Sequence, residues 1–382
     1  MANNGPGRFC GSDDRTSKIT RHGHLTKRNR RPDTGGQEAV AGTLDLISSG
    51  SDLARWIPIG VRWNLTEPLI DWCYAGEERF TEPFFDNSIE KLLARPYNLA
   101  FRRLTSIDAL RQCSEANPSA QVAGIIFHMS RCGSTVASRA LAASANNIVL
   151  SEAPPLDWMI RASVRRPEIT RSEQVDWIRW MVMSLGQKRS DQAERVFIKL
   201  DAWHTLYFDL IKEAFPDVPW LFLFRDPVEV LVSLDRQSGS AVIPGALERL
   251  TGNLTMDRML RCEQGEYPSL VLREICLAAI KNSDDEQGLF VDYQRMPGFV
   301  WGEMRTHFGL SRNETDIEQM KEATKFNAKS PTVKFSGDKA EKQAEASPRL
   351  REFADRHLSD IYLKLKEISS DQFLRFNEPD QI

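Results

Sequence analysis

Gly124-Ile125-Ile126-Phe127-His128-Met129-Ser130-Arg131-Cys132-Gly133-Ser134-Thr135-Val136 is the stretch on which the reading of the fold turns. An apolar, β-branched run gives way to small and polar residues and then to a helical pattern. That succession is the architecture of an anion site, because the first turn of a helix offers unpaired backbone N–H groups and the positive end of its dipole. Gly133 lets the backbone approach a ligand closely, Arg131 adds a cation, and Ser134 and Thr135 add hydroxyl donors. The plain alternative is a tight strand-to-helix turn with no ligand. The segment is not a Gly-x-x-x-x-Gly-Lys-Ser/Thr loop, because His128 takes the place of the first glycine and Ser134 that of the lysine. Nucleotide hydrolysis is disfavoured accordingly.

Outward from this stretch, short apolar runs alternate with helical patterns. Strands are expected at Val122 to Phe127, Asn147 to Leu150, Val196 to Leu200, Trp220 to Phe224 and Leu289 to Asp292. Glu173 to Leu185 reads as a helix opened by a Thr170/Glu173 capping box, with Val175, Ile178, Met181, Val182 and Leu185 on one core-facing side. Leu270 to Lys281 and Arg349 to Ile368 read as amphipathic helices, and the polar run Lys325 to Ser347 as a mobile loop. The alternation predicts an α/β fold, a central parallel sheet between helical layers.

Upstream, Met1 to about Gly42 is polar, with a basic cluster from Arg21 to Arg31, and reads as a solvated, disordered tail rather than a contact for RNA or an acidic surface. Between Leu44 and Gln112 the chain is rich in aromatics, including Trp56, Trp63, Trp72, Tyr74, Phe80, Phe84 and Phe85. Such density implies burial, in a helical subdomain packed on the main core or, alternatively, in an acceptor-binding lid. The expected division is 1–42 tail, 43–118 aromatic-rich subdomain and 119–378 α/β domain.

The 382 residues carry a formal net charge of -3, with 41% hydrophobic and 27% charged residues, so there is no basic excess to suggest a nucleic-acid partner and any anion site must be local. The six cysteines show no Cys-x-x-Cys or Cys/His ligand spacing, which fits a reducing compartment. Apolar runs fall well short of the ~18 residues that span a bilayer, and the N-terminus lacks the apolar core of a signal peptide. A cytoplasmic protein with no membrane span is expected. Nothing in the sequence sets an oligomeric state.

A second segment, Trp220-Leu221-Phe222-Leu223-Phe224-Arg225-Asp226-Pro227 and on to Ser233, is again an apolar strand ending in charge and followed by a helix, with Asp226 as cap and Pro227 early in the helix. The two segments occur in order, each at the C-terminal end of a strand, where α/β sheets bind ligands. Ser130 to Thr135 resembles the 5′-phosphosulfate loop of the sulfotransferase superfamily. The eight-position spacing of Arg225 and Ser233 resembles that family's 3′-phosphate motif.

The resemblance covers roughly Gly124 to Asp292 and implies a P-loop-like three-layer α/β/α fold with an N-terminal aromatic-rich segment. It also implies a transferase that takes its sulfuryl group from 3′-phosphoadenosine-5′-phosphosulfate (PAPS). By that resemblance Arg131, Gly133, Ser134 and Thr135, with Cys132 inside the loop, hold the 5′-phosphosulfate, and Arg225 and Ser233 hold the 3′-phosphate. The family's late Lys/Gly-rich cofactor loop matches loosely at Lys334-Phe335-Ser336-Gly337-Asp338-Lys339.

Transfer of a sulfuryl group needs cations on the donor and a base for the acceptor proton. Glu152, just after the second strand, stands where several carbohydrate-type and bacterial-type sulfotransferases carry a catalytic glutamate and is the first candidate. Phe197-Ile198-Lys199-Leu200-Asp201-Ala202-Trp203-His204 resembles the Lys-x-His strand end of the cytosolic enzymes, with Asp201 in place of the histidine. Lys199 could stabilise the leaving oxygen, and Asp201 or His204 could orient or deprotonate the acceptor. The alternatives for Glu152 and Asp201 are a helix cap or a structural ion pair; for His204, a structural histidine. Tyr293 is expected in core packing or at the cofactor.

The acceptor would be a small molecule or carbohydrate bearing a hydroxyl or amine, and metal independence is expected because no metal-ligand cluster is evident. Two other readings stay open: a small-molecule kinase on the same scaffold, and a non-catalytic nucleotide-binding protein.

Overall fold

The computed structural model describes residues 50–64, 67–236, 261–310, 313–327, 330–334 and 338–377. The expected tail and its basic cluster, and Phe335 to Gly337 of the late loop, lie outside them.

Five parallel strands form the centre: β4 (Gln121–His128), β5 (Asn147–Ser151), β6 (Arg195–Lys199), β7 (Trp220–Phe224) and β8 (Gly288–Asp292), in the spatial order β5-β6-β4-β7-β8. Every residue of β5, β7 and β8 is buried. Successive side chains of a strand point to opposite faces, so unbroken burial means that helices cover both sides of the sheet. This is the three-layer α/β/α arrangement expected from the alternation of apolar runs and helical patterns.

The first strand of the set, β4, lies in the middle. From it the chain crosses to β5 on one side, returns through β6, and then crosses to β7 and β8 on the other. The connections leaving β4 and β7 therefore diverge, and the crevice between their C-terminal ends is the topological switch point at which such sheets bind ligands.

The aromatic-rich segment corrects its expected helical character. It contains a three-stranded antiparallel sheet, β1 (Trp56–Trp63), β2 (Pro68–Tyr74) and β3 (Arg103–Ser106), in addition to helices at Phe85–Leu93 and Ile107–Ala116. Between Trp56 and Trp63 the β-branched Ile57, Ile59 and Val61 recur at every second position, which fits a pleated strand better than a helix. Trp56, Ile57, Ile70 and Trp72 enter the same continuous core as the parallel strands. Buried Gln187 joins the two regions, accepting from Arg55 N–H at 3.0 Å and donating to the Trp56 carbonyl at 2.8 Å.

The run Lys325 to Ser347 is likewise not a structureless loop among its described residues. It holds two short antiparallel strands, β9 (Phe326–Asn327) and β10 (Ser330–Lys334), and a helix, Lys339–Glu345. Its polar composition fits the mostly solvent-facing residues 338–347.

Candidate active site

The turn after β4 has an unusual backbone. Ser130, Arg131 and Gly133 all have positive φ (82°, 52° and 86°), a region that side chains other than glycine enter at a cost and that clusters at ligand sites. His128 underpins the turn. Its Nδ1 accepts the Ser130 N–H at 3.0 Å, so Nε2 carries the proton and donates to the Leu200 carbonyl at 2.9 Å. Burial lowers its proton affinity and favours this neutral form. The residue that replaces the usual first glycine thus ties β4 to the end of β6.

Gly133 then caps the helix Ser134–Ala143. A Cβ there would lie 2.9 Å from the Tyr293 ring, so glycine is needed for space as well as for φ. Ser134 and Thr135 are buried in the first turn. Cys132 faces inward, its thiol donating to the Leu223 carbonyl at 3.1 Å. Burial pushes the thiol up to about 12, so among the expected loop ligands Cys132 can offer backbone but no thiolate.

The two motifs meet. Arg131 Nε donates to Ser233 Oγ at 2.6 Å, across 102 residues of sequence. Arg225 projects from the end of β7 with its guanidinium 3.9 Å from the Tyr293 ring centre, and its backbone N–H lies 3.2 Å from Met129 Sδ. Glu229, one helical turn on, accepts from Arg225 Nε at 2.7 Å, and Asp338 pairs with the same guanidinium. Burial lowers the affinity of Arg131 for its proton, and the charge of Arg225 lowers it further, which is how crowded cations behave before an anion arrives. Arg225, Asp226, Glu229, Asp292, Tyr293, Gln294, Met296 and Lys339 line a cleft of about 260 Å³. Tyr293 is half-buried, between the two motifs and not in the core.

A second group gathers at the ends of β5 and β6. Lys199, whose side chain is completely buried, is ion-paired with Glu152, and Phe84 lies over its ammonium at 5.2 Å. Burial would raise the Glu152 carboxyl, but the Lys199 ammonium outweighs it and holds the carboxyl well below the usual range. Asp201 behaves in the opposite way: burial, and then the charges of Glu152 and Asp157, raise its carboxyl well above the usual range.

His204 is buried with both ring nitrogens engaged. Nδ1 accepts the Asp201 N–H at 3.2 Å, and Nε2 donates to Asp157 Oδ1 at 2.9 Å. Asp157 also receives Trp203 Nε1 at 3.0 Å and Arg161 at 3.4 Å. Asp157, Asp201 and His204 form a set of potential metal ligands among the described residues, their ligand atoms within 4.8 Å of one another. The His204 bonds already occupy the lone pair and the proton that a metal would have to displace.

The expected site residues therefore lie at C-terminal strand ends, in the turns that follow them or in the helices those turns enter, His204 in the short helix Ala202–Tyr207 and Ser233 in the helix Pro227–Arg236. His128, Asp157 and Glu229 were not anticipated as site residues, and Asp338 only as a member of the loosely matching late loop. Glu229 had a readable signal, one helical turn from Arg225. Asp338 lies 113 residues beyond its partner Arg225, a separation that carries no local pattern.

No family model matches the chain, and no curated protein matches it. Among solved structures it is similar to a sulfotransferase from Alicyclobacillus acidocaldarius, at 14% identity and a TM-score of 0.40, over 68% of this chain and 100% of that one. Sulfotransferase STF9 from Mycobacterium avium is similar at 17% identity and a TM-score of 0.36, over 70% of this chain and 79% of that one. Mouse sulfotransferase SULT7A1 complexed with PAP is similar at 13% identity and a TM-score of 0.38, over 68% of this chain and 93% of that one. These structural neighbours are sulfotransferases.

Proposed function

We propose that the protein is a sulfotransferase that moves a sulfuryl group from PAPS to a hydroxyl or amine of a small-molecule or carbohydrate acceptor. The observation that carries this reading is the Arg131–Ser233 hydrogen bond at the switch point. It joins a phosphate-type loop to the Arg225/Ser233 motif, beside the cleft that Arg225 and Tyr293 line. The first turn of Ser134–Ala143 suits the 5′-phosphosulfate, and Arg225 with Ser233 suits a 3′-phosphate, which ATP lacks.

The acceptor oxygen or nitrogen attacks sulfur as the bond from sulfur to the bridging phosphate oxygen breaks, and the acceptor proton passes to a base. Glu152, held ionised by Lys199, is a weak proton acceptor. Asp201, whose carboxyl holds its proton more tightly, is the stronger base once ionised, and we assign the proton to it. Lys199 acts through Glu152, and His204 positions Asp201 through its backbone N–H. The Asp157/Asp201/His204 set has no metal role in this reading.

No helix among the described residues is long and apolar enough to cross a membrane, and the described cysteines Cys73, Cys113, Cys132, Cys262 and Cys276 are free thiols. Both support placement in the cytoplasm.

Calorimetric titration with adenosine 3′,5′-bisphosphate, AMP and ATP with magnesium tests the donor site. Magnesium-independent binding of the bisphosphate in preference to the other two is expected, whereas preference for ATP with magnesium would replace this reading with a kinase. Arg225→Ala should weaken the bisphosphate about 10- to 100-fold, the usual range for losing a charged hydrogen-bond partner, and leave AMP nearly unchanged.

A further inference from the structure

Asp338 stands immediately before the helix Lys339–Glu345, and its two carboxylate oxygens bridge two cations. One pairs with Arg225 Nη2, and the other accepts from Lys342 Nζ at 2.8 Å. Arg131 feels the same carboxylate, and Lys342 in turn feels Arg225 and Arg131. A single acidic group therefore pairs with two cations and lies within the electrostatic reach of a third, and two of the three, Arg225 and Arg131, come from the motifs that meet there. A phosphate monoester would occupy such a cage in the same way, with separate oxygens on separate cations.

The two carboxylates in the cage differ in kind. The Glu229 side chain is 3% exposed and lies one turn along the helix from Arg225, so it belongs to the fixed structure. The Asp338 side chain is 34% exposed, on the solvent side of the cluster. Three cations against Glu229 and Asp338 leave one net positive charge, and with Asp338 withdrawn the cage carries two, matching a phosphate dianion. The other tethers of the Lys339–Glu345 helix include exposed pairs of Arg236 with Glu341 and Glu345 and a 3.2 Å bond from Gln343 to Asp226, contacts of the kind that break at small cost.

We propose that Asp338 is a built-in stand-in for the nucleotide's 3′-phosphate: it holds Arg225 and Lys342 in the nucleotide-free protein, and the phosphate displaces it and takes Lys342 as a further ligand. The inference deepens the sulfotransferase reading and rests on it for the identity of that phosphate. Lys342 is then a nucleotide-binding residue, and Asp338 sets a threshold that a nucleotide without the 3′-phosphate does not cross.

The test is calorimetry on the full chain, wild type against Asp338→Asn and Lys342→Met, with adenosine 3′,5′-bisphosphate, AMP and inorganic phosphate as separate probes. Asp338→Asn should bind the bisphosphate and inorganic phosphate about tenfold more tightly and AMP equally, and Lys342→Met should bind the bisphosphate about tenfold more weakly. Unchanged or weaker binding of both phosphate probes by Asp338→Asn would overturn the stand-in. Failure of every variant to bind the bisphosphate, with inorganic phosphate still tighter on Asp338→Asn, would keep the stand-in and sink the sulfotransferase reading. Thermal unfolding checks that each variant folds, and the Asp338→Asn comparison decides the matter even where Lys342→Met does not fold.

Discussion

Glu152 and Asp201 are the same kind of acid in neighbouring turns, and the structure pushes their proton affinities apart. Glu152 has a buried ammonium beside it; Asp201 has mostly other carboxylates. Divergence of this kind marks out acid and base roles. Asp201→Asn should reduce turnover about 10²- to 10⁴-fold, the range for loss of a general base, and should abolish the loss of stability with rising pH that ionising the buried carboxyl imposes. Turnover assays and denaturant titration read the two effects.

The sign with pH follows. Because the folded-state affinity of Asp201 is raised, its contribution to stability is present at low pH and is lost as pH rises through the folded value, while turnover rises over that same interval. Glu152 is depressed, so its contribution is present above its unfolded value of about 4.5 and is lost as pH falls. Glu152→Ala leaves Lys199 buried without its carboxylate and should cost about 3–5 kcal/mol, against a smaller loss for Glu152→Gln. Equal losses in the two variants, measured by urea unfolding, would remove the ion pair from this account.

At the scale of elements, the turn from β4 into the helix Ser134–Ala143 works because its backbone conformation is set by both of its neighbours. Gly133→Ala would place a methyl group 2.9 Å from the Tyr293 ring at a φ of 86°. A loss of about 1–3 kcal/mol in stability is expected, together with weakened bisphosphate binding, as Tyr293 or the loop gives way. A crystal structure of the variant with the loop unmoved would contradict this. Part of the site's placement was legible here: the apolar runs of β4 and β7 each lead through a turn into a helix, and the segments that follow them meet in the Arg131–Ser233 hydrogen bond. The arrangement of those residues was not. Cys132 reads as a loop ligand by position, yet its thiol points at the Leu223 carbonyl, and Tyr293 reads as core, yet stands between Arg225 and Gly133. Side-chain direction in a turn depends on positive-φ residues that no periodicity announces.

At the scale of the whole molecule, the antiparallel sheet of the aromatic-rich segment and the parallel sheet share one core. A fragment comprising residues 119–382 would expose the surface that Trp56, Ile57, Trp72 and Leu110 cover, and it should fail to fold, whereas the full chain should unfold in one cooperative transition. Calorimetric scans of both would show it; a stable fragment would make the segment an independent domain. The aromatic-rich segment also reaches the ends of β5 and β6: Ser151 Oγ donates to the Pro83 carbonyl at 2.8 Å, and Phe84 lies over the Lys199 ammonium, so residues that precede the α/β domain help to enclose the Glu152–Lys199 pair. The sequence by itself determined the strands, their helical cover and the two strand-to-helix turns, because burial on both faces and helix entry leave local marks in residue type and spacing. Only the tertiary structure decided which of those residues meet, that Glu152 is paired with a cation and Asp201 is not, and that Asp338 lies among the cations. Those outcomes depend on distances between chain segments about 50 to 113 residues apart, which local periodicity does not encode.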